Sequence, residues 1–188
     1  MNVYDWDKTI VPFDSTVRFY FYCLQNNKRI LKFLPYQIKG WILYLFKKID
    51  KTTMKSYFYK FLPAVDEINL AVEDFWNKNI IYVNKWYKEQ QKEDDIVISA
   101  SPYFLIKPAC DRLNIRTLLA SQVDPYSGKV TSPNCSSQQK VKVFEEAGYD
   151  IAEVDEFYSD SYNDRYMAKL AKKAFLVKGS ELKKWDKF

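Results

Sequence analysis

Two carboxylates near the start of the chain, Asp5 and Asp7, are the residues best placed to do chemistry. They follow a short apolar run and are followed by Thr9. Side chains two positions apart in an extended segment lie on the same side. At the carboxyl end of a parallel strand, such a pair faces the crevice in which open α/β sheets bind ligands. One carboxylate could attack a substrate while the other carries protons.

Two other segments place anion-binding groups at the ends of predicted elements. The apolar run 96–98 predicts a buried strand that ends at Ser99, and a helix is predicted over 103–113. The Ser99 hydroxyl and the amides of that helix start could bind phosphate oxygens. After a predicted strand over 116–123 and a hairpin over 124–131, Lys140 begins a helix that stops at Gly148. An ammonium at a helix start makes sense beside a bound dianion.

A second acidic cluster, Asp160 and Asp164, follows a strand predicted over 154–159. Magnesium is commonly held by one or two carboxylates together with water and substrate phosphate. Asp160 together with Asp5 therefore predicts a magnesium site. A helix over 163–172 and a strand over 174–178 complete a β-α-β pattern.

Composition narrows the chemistry further. The 188 residues include no histidine, which removes Ser-His-Asp and Cys-His catalysis and His-ligated zinc. The three cysteines are far apart, so we expect reduced, mostly buried thiols and neither a disulfide framework nor a Cys-x-x-Cys metal site. Met1 leads directly into the first strand without a basic and apolar leader. The expected location is therefore cytoplasmic.

The segment from Asp14 to Gln91 predicts about four helices, near residues 17–24, 34–46, 54–62 and 67–91. Asp14 and its neighbours offer capping side chains for the first helix. The second is apolar around much of its circumference, so we expect it to be buried on more than one side. The longest uninterrupted apolar run, Trp41 to Phe46, is far shorter than the ~20 residues of a membrane-spanning helix.

Charge is concentrated in this same segment. Between Arg18 and Lys60 there are ten lysines and arginines against one acid, Asp50. A basic run interleaved with aromatic residues can indicate a nucleic-acid or lipid surface. The stronger interpretation is the solvated face of a helical cap with an aromatic core. We expect no nucleic-acid partner, and contact with a membrane surface through the cap stays open.

Four motifs in order resemble those of the haloacid dehalogenase superfamily: D-W-D-K-T at 5–9, I-S-A-S-P at 98–102, N-C-x-x-x-x-K at 134–140 and S-D-S-Y-N-D at 159–164. The helical insert, the I-S-A-S-P form and the N-C lead-in resemble its phosphoserine-phosphatase-like branch, which includes lipid-phosphate phosphatases. The resemblance implies the α/β class, with a Rossmann-like core, a mostly parallel sheet and an all-helical cap. It places the core at 1–13 and 92–188 and the cap at 14–91.

The resemblance also implies a magnesium-dependent phosphatase that forms an aspartyl-phosphate on Asp5. Asp7 would be the acid for the leaving oxygen and the base for water. Mg²⁺ would be held by Asp5, Asp160 and the backbone carbonyl of Asp7. The remaining expected site residues bind phosphate (Ser99 and Lys140) or support the site (Asp164 and Thr9).

Three positions depart from the family pattern or leave it open. Lys8 and Ser159 stand where many relatives have glycine. Asp14 occupies a position where phosphoserine phosphatases carry a substrate-reading acid, usually Glu, and a helix-capping role is the alternative. The expected substrate is a small phosphorylated molecule, of polyanionic or lipid-like character.

Two rival functions stay open at this stage. A dehalogenase of the same superfamily does not use the second carboxylate, so Asp7 argues against it. A non-catalytic lipid- or RNA-contacting module would keep the site idle, and the intact motif residues argue against that.

Overall fold

The structure, a computed structural model, describes residues 1–186, and over this range one six-stranded sheet has the order β3-β2-β1-β4-β5-β6. All neighbouring strands are parallel except β5 and β6, so the predicted mostly parallel α/β fold is confirmed. The strands are β1 Asn2–Tyr4, β2 Ile96–Pro102, β3 Thr117–Ser121, β4 Glu156–Ser159, β5 Lys173–Lys178 and β6 Glu181–Lys184. The terminal strand β6 was not predicted.

Eight α-helices accompany the sheet over the same described range. They are α1 Ser15–Asn26, α2 Leu34–Leu45, α3 Lys51–Phe58, α4 Ile68–Asn79, α5 Lys85–Gln90, α6 Tyr103–Arg112, α7 Gln138–Glu146 and α8 Arg165–Leu170. The helix predicted over 163–172 is shorter because a 3-10 turn at Tyr162–Asp164 precedes it. The predicted hairpin is reduced to one bridge between Val123 and Val130.

The segment 14–91 contains no β-strand, but it has five α-helices where the sequence predicts about four. The single helix predicted over 67–91 is wrong, because the chain leaves helical geometry between α4 and α5. At the break, the backbone N–H of Asn84 donates to Ile10 O at 2.9 Å and its side chain donates to Thr9 O at 2.7 Å. Two bonds to the loop that follows β1 thus replace the helical bonds lost there.

The prediction that the helix at 34–46 is buried on more than one side is also wrong. Within α2 only Gln37 and Gly40 are buried. Its packing partner is α3, where Gln37 Nε2 donates to Phe58 O at 3.2 Å. A Cβ added to Gly40 would lie 2.5 Å from Tyr57 Cβ, so glycine permits this close approach. Helix α2 therefore packs through its small and polar side, while its apolar side faces solvent.

Helices α4 and α5 pack directly against the motif-bearing β1 end of the sheet. Trp76 of α4 meets Trp6 edge to face with ring centroids 5.6 Å apart, and Tyr87 of α5 meets Tyr4 at 5.0 Å. These residues belong to one buried core cluster. The division of the chain at residues 14 and 91 into core and cap stays a prediction.

Within the described residues 1–186, no helix has the length and apolar character that crossing a bilayer requires.

Candidate active site

The polar strand ends predicted from sequence meet at one edge of the sheet. Asp5 directly follows β1, Asp160 directly follows β4, and Ser99 lies within β2. Because β1 pairs in parallel with both β2 and β4, the carboxyl ends of these strands converge. They open into a cavity of about 440 Å³ whose lining includes Asp5, Asp7, Asp14, Ser99, Lys140, Asp160 and Asp164.

Lys140 joins two carboxylates inside this cavity. Its Nζ lies 2.7 Å from Asp5 Oδ1 and 2.7 Å from Asp164 Oδ2, and the lysine is only 1% exposed. Burial lowers the pKa of Lys140, but Asp164 and Asp5 reverse that effect and leave its pKa raised. Burial raises the pKa of Asp5, which Lys140 offsets in part. One ammonium thus serves two buried carboxylates, so the three groups together carry a net negative charge when both acids are ionised.

Asp164 is fixed from two further directions. Ser159 Oγ donates to its Oδ2 at 2.8 Å, and the backbone N–H of Ser137 donates to Oδ1 at 3.3 Å. The serine at 159 therefore supplies a donor that glycine lacks. This departure from the family pattern adds a hydrogen bond to Asp164, and Asp164 in turn holds Lys140.

Asp7 is held apart from that network by the start of α1. The N–H of Ser15 donates to its Oδ1 at 2.7 Å, and Ser101 Oγ donates to its Oδ2 at 2.5 Å. Ser101 Oγ also lies 3.1 Å from Thr16 Oγ1. Burial and the nearby Asp14 raise the pKa of Asp7 to about 6, against the effect of these hydrogen bonds. Ser101 was not singled out from the sequence, although it lies inside the I-S-A-S-P motif.

The loop between these carboxylates and α1 folds tightly. The N–H groups of Ile10 and Val11 both donate to Trp6 O. Lys8 has a φ of +55°, a left-handed conformation that glycine adopts without strain, and it lines the cavity. Thr9 is fully buried behind the loop, where its carbonyl accepts from Asn84, so the structure does not bring it into the cavity lining.

Asp14 combines both of the alternatives considered for it. Its side chain accepts from Val17 N at 2.9 Å and so caps α1. It also lines the cavity. Capping is confirmed, and a part in reading the substrate stays a prediction.

Helices α2 and α3 contribute residues that the sequence did not place in the candidate site. Tyr44 and Lys51 line the cavity. Lys55 Nζ donates to Ala100 O at 2.5 Å, beside the Ser99 and Ser101 pair. Burial, with Lys51 nearby, lowers the pKa of Lys55 to about 8. The only sequence signal for Lys51 and Lys55 was membership in the basic run, which does not distinguish one lysine from another.

The oxygen atoms around Asp5 fit a hard cation. Asp5 and Asp160 line the same cavity, and burial raises the pKa of Asp160, as expected for acids short of positive partners. Within residues 1–186 no group of three His, Cys, Asp or Glu side chains is placed to hold a metal. The predicted site requires only two carboxylates, because a backbone carbonyl, water and substrate phosphate complete magnesium coordination.

A larger groove of about 690 Å³ lies at the opposite, amino ends of the strands, where its lining includes Glu93 and Arg116. None of the predicted site residues lines it. The chemistry-bearing residues are thus confined to the carboxyl edge of the sheet.

Comparison with known proteins agrees with this geometry. The profile of the family described as haloacid dehalogenase-like hydrolase matches residues 3–169. No match was found among curated proteins.

Solved structures share the fold at low sequence identity. A protein of unknown function from Bordetella pertussis Tohama I superposes with a TM-score of 0.74 at 15% identity, covering 93% of this chain and 87% of that one. A phosphoserine phosphohydrolase-like protein from Francisella tularensis subsp. tularensis SCHU S4 gives 0.59 at 21% identity, covering 93% and 86%. A substrate-bound phosphoserine phosphatase gives 0.52 at 13% identity, covering 92% and 82%.

The predicted haloacid dehalogenase superfamily is therefore confirmed, and so is the prediction of a hydrolase. This chain belongs to the haloacid dehalogenase-like hydrolase family, and it has the fold of the phosphoserine-phosphatase-like structures.

Proposed function

We propose that this hydrolase is a magnesium-dependent phosphatase that cleaves a phosphomonoester through a phosphoryl-aspartate on Asp5. The main support for the proposal is that two carboxylates in one cavity have separate sets of hydrogen-bond partners. Lys140 engages Asp5, whereas Ser15 and Ser101 engage Asp7. The two acids are thus held for different tasks, which a single-carboxylate mechanism does not require.

Asp5 is the proposed nucleophile. Lys140 binds its Oδ1, which leaves Oδ2 available to attack phosphorus as the ester P–O bond breaks. Lys140 and Ser99 would then donate to the phosphoryl oxygens, where phosphoryl transfer needs positive charge and positioning. Asp164 keeps Lys140 in place through the 2.7 Å contact.

Asp7 is the proposed proton carrier. It would give its proton to the departing ester oxygen, so the alcohol leaves neutral. It would then take a proton from the water that attacks phosphorus, which releases inorganic phosphate and restores Asp5. The contacts from Ser15 and Ser101 fix its orientation for both steps.

Asp5, Asp160 and the backbone carbonyl of Asp7 would hold Mg²⁺. When bound, the ion supplies positive charge that offsets the repulsion between these carboxylates and a phosphate dianion.

Release of inorganic phosphate from an aryl phosphate tests the proposal. We expect turnover with magnesium and loss of turnover after EDTA treatment and desalting. Asp5→Asn should abolish turnover and leave the fold intact, because the amide is nearly isosteric. The matched control is Asp66→Asn, an exposed acid outside the cavity lining.

Three results would contradict parts of this proposal. Asp5→Asn activity within about tenfold of the parent would rule out the nucleophile. Full activity in metal-free buffer would rule out the ion. A parent protein that hydrolyses none of a panel of phosphomonoesters would favour the non-catalytic lipid- or RNA-contacting alternative.

The substrate is proposed to be a small phosphorylated molecule with additional negative charge or an apolar tail. A cavity of about 440 Å³ suits a small ligand, and Lys8, Lys51 and Tyr44 add positive and aromatic lining. A panel that compares phosphoserine with polyanionic and acyl-bearing phosphates tests this choice. Phosphoserine as the best substrate would overturn it and would favour substrate reading by Asp14.

The proposed location is the cytoplasm. Cys23, Cys110 and Cys135 are all free and buried, which fits a compartment that keeps thiols reduced. Fractionation of cells that express the tagged protein would test this.

A further inference from the structure

Helix α2 carries a row of apolar side chains that lie outside the protein core formed by the described residues. The row recurs at helical spacing along one side of the helix and continues into the residue after it. Its members are 41% to 73% exposed: Leu34, Ile38, Trp41, Ile42, Leu45 and Phe46. None of them belongs to either buried core cluster or to the residues packed against those clusters. We call this set the α2 face.

The packing of α2 is inverted relative to an ordinary surface helix. Such a helix turns its apolar stripe toward the core and its polar side to water. Here Gln37 and Gly40 are the buried positions, held against Phe58 and Tyr57 of α3. A contiguous apolar patch on a soluble surface indicates a binding site.

Charge around the α2 face selects the kind of partner. Exposed basic residues precede it, interrupt it and follow it, whereas the only acid between residues 18 and 60 is Asp50. A second copy of the chain would bring two basic segments together, which disfavours self-association. The basic residues at the α2 face are Lys28, Arg29, Lys32, Lys39, Lys47 and Lys48.

We propose that the α2 face docks this protein on an anionic lipid bilayer, with α2 lying in the plane of the interface. Apolar side chains would enter the boundary between headgroups and acyl chains, while the lysines contact anionic headgroups. The 12 residues of α2 extend only about 18 Å, too short to cross a bilayer and suited to lying along it.

Docking in this way would bring the candidate cavity close to the lipid surface. Tyr44 of α2 and Lys51 of α3 line the cavity, and Leu45 and Phe46 of the α2 face directly follow Tyr44. The docking proposal itself does not depend on the phosphatase activity, because it is tested by binding alone.

Co-sedimentation of the full chain with vesicles tests the proposal. We expect binding to phosphatidylcholine vesicles that contain phosphatidylglycerol and much weaker binding to pure phosphatidylcholine. Trp41→Gln with Leu45→Gln should weaken binding to the anionic vesicles at least tenfold. The matched control is Ile81→Gln with Leu170→Gln, which removes two exposed apolar side chains elsewhere and should bind as the parent does.

The charge contribution is tested in the same assay. Lys47→Gln with Lys48→Gln should weaken binding by about tenfold or more, since each lysine near an anionic surface contributes about fivefold. Lys178→Gln with Lys184→Gln removes the same charge from exposed positions in the last two strands of the sheet, β5 and β6, and should have little effect. Quenching of parent fluorescence by brominated lipid, reduced in Trp41→Phe, would place Trp41 in the interface.

Three outcomes overturn the proposal. One is absence of binding to anionic vesicles, and another is equal weakening by the face variants and their controls. The third is a concentration-dependent dimer that the Trp41→Gln and Leu45→Gln changes abolish without any effect on lipid binding. Circular dichroism of each variant shows whether it is folded, which we expect because the changed residues are exposed.

Discussion

Replacing Lys140 with Met should reveal how much the buried charge network contributes to stability. The lysine is 1% exposed and lies 2.7 Å from both Asp5 and Asp164. Methionine has a similar length but no charge, so two buried carboxylates would lose their cation. Breaking a buried pair by removing one partner costs about 3–5 kcal/mol.

A second substitution apportions that cost. Asp164→Asn removes one of the two carboxylates that Lys140→Met leaves without a cation. The donors from Ser159 and Ser137 then face an amide. We therefore expect Lys140→Met with Asp164→Asn to cost less than the sum of the single changes, with a coupling of about 1–3 kcal/mol.

Urea unfolding followed by tryptophan fluorescence measures these differences, because Trp6 and Trp76 are fully buried. With a slope of about 1–3 kcal/mol per molar urea, Lys140→Met should lower the midpoint by roughly 2 M. Every buffer should contain EDTA, since a bound cation would offset the negative charge of the carboxylates and hide the effect. The matched control is Lys85→Met, because the Lys85 side chain is 89% exposed and its Nζ lies 3.5 Å from Glu89 Oε1. It should change stability by no more than about 0.5 kcal/mol.

A cost below about 1 kcal/mol for Lys140→Met would refute this reasoning, as would a double variant whose cost equals the sum of the singles. Either result would mean that water or rearrangement already compensates the charges.

Three further predictions follow from contacts or burial that the structure shows. Ser101→Ala should lower kcat by about 10- to 100-fold with little change in KM, because Asp7 loses a charge-assisted hydrogen bond of about 1.5–3 kcal/mol; an unchanged kcat, or an equal loss in the exposed control Ser127→Ala, would contradict this. Gly40→Ala should lower the Tm despite the better helix propensity of alanine, because its Cβ would lie 2.5 Å from Tyr57 Cβ; an equal or higher Tm would exclude the described packing of α2 on α3. The thiols of Cys23, Cys110 and Cys135 should resist Ellman's reagent in the native protein and react in urea, because they are buried and burial raises their pKa. A thiol that reacts rapidly in the folded protein would contradict the burial of that cysteine.

The sequence by itself determined which edge of the sheet carries the candidate site. Asp5, Ser99 and Asp160 each end or follow a predicted strand, and parallel strands must bring such ends together, so local pattern is sufficient there. Local pattern also placed Lys140 near a helix start, but only the resemblance of the four motifs singled it out among the lysines. The capping of α1 by Asp14 is equally local, since it depends on residues three apart.

Only the tertiary structure decided which residues support that edge. Ser101, Asn84 and Lys55 act through partners 94, 75 and 45 positions away, and no spacing rule within one segment connects such pairs.

The burial of α2 was also decided by tertiary packing. Its sequence is apolar around much of the helix, so periodicity does not say which side faces inward. The close approach of Gly40 to Tyr57 selects the small and polar side for packing and leaves the α2 face exposed. Packing against a neighbouring helix depends on shape as well as on hydrophobicity, and the complementary shape belongs to a different segment of the chain.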